Sequence, residues 1–61
     1  MMNDYMEAQI MNMIAIVRTF EHSCQMAALK NDGKIDNAEA QQLKKINLAS
    51  EKYIQRLQKI K

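Results

Sequence analysis

Sixty-one residues suffice for one small domain, and a chain of that length buries only about 60% of the surface its unfolded form exposes. A 48% apolar composition excludes a disordered chain, and a single cysteine excludes an internal disulfide. The net charge of +2 is unevenly divided: Asp4, Glu7, Glu21 and Asp32 outnumber Arg18 and Lys30, whereas after residue 32 seven basic residues face only Asp36, Glu39 and Glu51.

The N-terminal "MMNDYMEAQ" is acidic and polar, unlike a secretory signal, and choosing between Met1 and Met2 as the start is beyond the sequence. The longest apolar run, Met13 to Val17, falls far short of the roughly 20 residues that cross a bilayer. The expectation is a soluble, cytoplasmic, all-α protein that does not enter membranes.

Residues 3–30 read as the first helix. Met6, Ile10, Met13, Val17, Phe20, Cys24 and Ala27 alternate spacings of four and three, a heptad seam with no glycine or proline to break it. Ile14 and Ile16 flank that seam, and Met11 lies further round. A helix apolar over so much of its circumference needs more than one neighbour. Packed as one hairpin, the chain is expected to leave Met11, Ile14 and Ile16 against water. The candidate protein interface is therefore Met6, Ile10, Met11, Met13, Ile14, Ile16, Val17 and Phe20.

The corner, "KNDGKIDNAE" at residues 30–39, contains the only glycine. Asn31 and Asp32 are expected to end helix one, and Gly33 to supply a left-handed turn. Asp36 followed three residues later by Glu39 is a capping box for helix two, with Ile35 packing back over its first turn. The same stretch resembles the second half of an EF-hand loop, with Asp32, Gly33, Ile35, Asp36 and Glu39 in register. The first half departs from that pattern: Ala28 and Lys30 stand where oxygen ligands belong, and calcium needs six to eight oxygens. A calcium module is thus the third reading, and no cofactor or metal is expected.

Residues 37–60 read as the second helix. Leu43, Ile46, Ser50, Tyr53, Leu57 and Ile60 carry its seam, with Ala49 and Ile54 beside it. Lys45, Lys52 and Lys59 recur every seven residues, with Arg56 one turn from the last two. This basic stripe supplies the candidate nucleic-acid contacts Lys45, Lys52, Arg56 and Lys59, since phosphate contacts need only spaced cations. No aromatic residue interleaves with it, so stacking on bases is not indicated.

His22 and Cys24 are the remaining reactive side chains, and their spacing points them to different sides of a helix. Without a nucleophile–base pair or a phosphate-binding glycine loop, no enzyme is expected. Met11 and Met26, lying off the seam, suit a second interface.

Two long helices with a short connection make an antiparallel hairpin, and two such hairpins make a four-helix bundle. In length, hairpin plan and heptads the chain resembles the Rop family of plasmid copy-number regulators. That likeness implies a homodimeric bundle that binds paired RNA loops, without assigning any residue. In size and plan it also resembles the hairpin co-chaperones of type III secretion needle subunits, which hold a partner's apolar helix. The expected role is a small interaction module that pairs with itself or with a helical partner protein. A small nucleic-acid-binding regulator is the alternative.

Overall fold

A computed structural model describes residues 3–30 and 33–60 and consists of two helices, α1 (Asp4–Lys30) and α2 (Asn37–Ile60), folded into an antiparallel hairpin. The bounds match those expected, except that Asn3 stands just outside α1 as its N-cap. Its Oδ1 accepts a hydrogen bond from the Met6 amide at 2.8 Å, and its carbonyl accepts one from the Glu7 amide. Asp4 and Glu7 then place negative charge in the first turn, where the helix dipole favours it.

The corner uses local chemistry throughout. Gly33 has φ +75°, and its N–H donates to the Leu29 carbonyl at 2.7 Å, closing off α1. A Cβ there would meet nothing within 4 Å, so the backbone angle rather than crowding requires glycine. The Glu39 amide donates to Asp36 Oδ1 at 2.8 Å, and the Asp36 amide donates to Glu39 Oε1 at 3.2 Å. This is the reciprocal capping box, a device whose N-cap half alone is typically worth about 1 kcal/mol. The roles expected of Asn31 and Asp32 lie outside the described residues, as do Met1 and Met2.

Between the helices runs one seam. From α1 it takes Ile10, Ile14, Val17, Glu21, Cys24 and Ala28; from α2 it takes Leu43, Ile46, Ser50, Ile54 and Leu57. Among the described residues only Ile14, at 8% exposure, and Ile54, at 2%, are buried outright. Each helix is therefore rotated by about one position from the expected seam. Ile10, Val17 and Cys24 keep their places, but Ile14, Glu21 and Ala28 replace Met6, Met13, Phe20 and Ala27 beside them. On α2, Ile54 replaces Tyr53. The expectation that Ile14 faces water is corrected: it is part of the small core.

Shape explains the rotation. Ile10, Val17 and Cys24 belong equally to two adjacent rows of four–three spacing, so periodicity does not choose between them. A two-helix contact brings the backbones close, which suits Ile14, Ala28, Ser50 and Ile54 better than the rings of Phe20 and Tyr53.

The result is a single layer. Its extents are 48 × 16 × 7 Å and its radius of gyration is 14.6 Å, whereas a globular domain of this length has about 10.5 Å. Among the described residues, neither helix is long and apolar enough to cross a membrane.

Candidate interaction surface

The side chains turned out of the seam fall on a particular side of the hairpin. At about 100° per residue, Met6, Met13, Phe20 and Ala27 form a row immediately beside the α1 seam, with Gln9 and Ile16 next to it. On α2 the matching row is Gln42, Ala49, Tyr53 and Ile60, with Ile46 at its inner margin. Because the helices run antiparallel, both rows face the same way. Cys24 and Ala27 accordingly line one groove with Gln42 and Ile46, while Gln25 lines a groove on the reverse side with Asn47 and Leu48. Arg18 and Glu51 also pair on the reverse side, at 3.6 Å.

The Arg18–Glu51 pair and the groove shared by Ala27 and Gln42 fix one antiparallel register, which sets Phe20 level with Ala49, Met13 level with Arg56 between Tyr53 and Ile60, and Met6 toward the Ile60 end. The apolar members are open to solvent: Met6 is 54% exposed, Phe20 52%, Tyr53 45% and Ile60 58%. Charge enters the face at two places: Arg56, seven residues on from Ala49, continues the α2 row, and Glu39 lines the groove of Cys24, Ala27 and Gln42. Lys45 stands at the outer edge of α2. In a chain that is 26% charged, a largely apolar stripe spanning two helices is a distinctive surface.

The candidate interface residues are thus divided by the fold. Met6, Met13, Ile16 and Phe20 meet on the apolar face; Ile10, Ile14 and Val17 are used inside the hairpin. Met11, exposed, lies on the far side of the seam. Ile46, Ala49, Tyr53 and Ile60 complete the face from α2. Sequence reasoning missed this contribution because it assigned Tyr53 and Ile60 to the intramolecular seam; their position beside the buried Ile54 carried the signal.

The reverse side is polar and contains an electrostatic conflict. Glu21 is half-buried between the helices and lies near Glu51. Its pKa is raised above the ordinary 4.5, first by partial loss of water, then by the charge of Glu51 and a hydrogen bond to it, with Arg18 opposing. A group that holds its proton more tightly when folded contributes stability at acid pH, lost as pH rises through the raised value. Glu21→Gln is therefore expected to raise the thermal midpoint at pH 7 and to weaken the gain the wild type shows on acidification toward pH 4.5. Circular-dichroism melts across that range check both effects; a lower midpoint for the variant at pH 7 contradicts them.

The other candidates occupy separate places. Lys45, Lys52, Arg56 and Lys59 are exposed along the outer side of α2, and neither acid of that helix, Glu39 or Glu51, shares that side. His22 is exposed and Cys24 half-buried in the seam as a free thiol. Among the described residues no group of three or more His, Cys, Asp or Glu side chains is arranged to hold a metal ion. Asp36 and Glu39 are engaged with each other's amides. Comparison of the chain with protein-family models, curated proteins and solved structures found no match.

Proposed function

We propose that the protein is a small, non-enzymatic interaction module that works by docking its two-helix apolar face onto complementary helices. The observation behind this reading is the apolar row of Met6, Met13 and Phe20 beside Tyr53 and Ile60, exposed on a hairpin whose own seam, among the described residues, buries only Ile14 and Ile54. Apolar area removed from water stabilises association by about 25 cal/mol per Å² before the costs of binding, so a face of this extent is a strong driver. Such a module acts by stabilising, sequestering or regulating what it covers. A photo-crosslinking benzophenone side chain placed at Phe20 in the protein's own host is expected to yield a discrete adduct. The same group at Leu48, on the reverse side, is expected to yield none. No discrete adduct from position 20, or equal adducts from both, contradicts the reading.

The uncompensated cations on α2 support a second reading, contact with a nucleic-acid backbone. Under it, RNA or DNA is retarded at low salt, and replacing Lys45, Lys52 and Lys59 together by Gln abolishes the shift while helicity is unchanged. Absence of any salt-dependent shift by the wild type removes this reading.

A further inference from the structure

We infer that the occupant of the apolar face is a second copy of the chain, the two hairpins closing face to face into a four-helix bundle. The inference rests on the interaction reading above and deepens it by naming the partner.

Area is the first argument. The chain exposes 5180 Å², whereas a compact monomer of 7.1 kDa exposes about 4,100 Å². The excess, about 1,100 Å², exceeds the roughly 800 Å² that each partner contributes to a standard-sized interface. One layer of two helices is half of the two-layer arrangement in which helices ordinarily enclose a core.

Complementarity is the second. The face runs along both helices of a layer 48 Å long, and a second copy offers a face of the same length, width and chemistry. A single partner helix covers only part of it. Meeting a copy of itself desolvates little charge, because the α1 row contains none and the α2 side brings only Glu39, beside Gln42, and Arg56, beside Ile60, which are opposite in sign. The other polar groups on the face, Gln9, Gln42 and the Tyr53 hydroxyl, are uncharged. Arg56 and Lys45 reach the margin, where rim charges remain in water. The reverse side offers no comparable surface, since Arg18, Glu21, Lys44 and Glu51 crowd it.

Sedimentation equilibrium of the purified chain at micromolar concentration tests the inference. The expected mass is twice 7.1 kDa. Phe20→Lys and Tyr53→Lys, one on each helix of the face, are each expected to weaken dimerisation by at least tenfold, and Leu48→Lys to leave it unchanged. Should a charged variant unfold, benzophenone at position 20 of the otherwise unaltered chain decides the matter, with a crosslink at the dimer mass expected there and none from position 48. A folded monomer, a larger oligomer, or a dimer broken by Leu48→Lys and indifferent to Phe20→Lys overturns the inference. A monomer whose position 20 still gives a discrete, heavier adduct in the host overturns the second copy alone. No discrete adduct in either setting overturns the interaction reading with it.

Discussion

Replacing Met13 and Phe20 together by lysine is expected to lower the thermal midpoint of the chain by more than about 5 °C. Fully burying a Met or Phe side chain is worth roughly 1.5–3 kcal/mol, and the hairpin leaves Met13 37% and Phe20 52% exposed, so covering what remains contributes at least about 1.3 kcal/mol. For a domain of some 60 residues each kcal/mol shifts the midpoint by about 4–8 °C. In the proposed dimer the lysines also bring two ammonium groups into each copy's face. If nothing covers the face, the change costs only the partial cover that the hairpin itself gives these side chains, and the loss is the same at every chain concentration. Circular-dichroism melts of variant and wild type at two chain concentrations separate the outcomes, because the loss grows with concentration only where a second copy closes over the face.

The second large effect lies inside the hairpin. Ile54 is 2% exposed, the most buried side chain described, and stands level with Ile14 across the seam. Truncating a buried isoleucine to alanine removes its transfer energy and leaves a cavity, together about 2–5 kcal/mol. Native domains have only about 5–15 kcal/mol in all, and a chain this short sits toward the low end. Ile54→Ala is therefore expected to unfold the protein at or near room temperature, seen as loss of helical circular dichroism. Leu48→Ala, at a residue 56% exposed on the reverse side, is expected to change stability by less than about 0.5 kcal/mol. Equal effects of the two changes contradict the seam.

The fold was legible because it rests on local signals. An uninterrupted helical pattern, one glycine at a position of positive φ and a reciprocal Asp36–Glu39 cap fixed two helices and one corner. Two carboxylates of the calcium-like half of the corner, Asp36 and Glu39, serve the cap. Which face each helix turns inward was not legible. Ile10 and Val17 support two seams, and the choice depends on how closely α1 and α2 approach, a tertiary property no spacing encodes. From that one-position rotation follow the burial of Ile14 and Ile54, the release of Phe20 and Tyr53, and the joint face they form. The breadth of the apolar surface on α1 was readable; the share that α2 supplies was not.

Glu21 shows the same limit. Nothing in its neighbourhood in sequence marks it as a seam residue, yet the rotation brings it between the helices near Glu51 and lifts its pKa.

The most direct measurement is the unfolding midpoint as a function of chain concentration. Where folding and dimerisation are one event, diluting the chain a hundredfold removes about 2.7 kcal/mol of stability. The expected midpoint falls steadily on dilution, with helicity lost in a single transition. A midpoint constant over a hundredfold range, in a chain that remains helical, contradicts it.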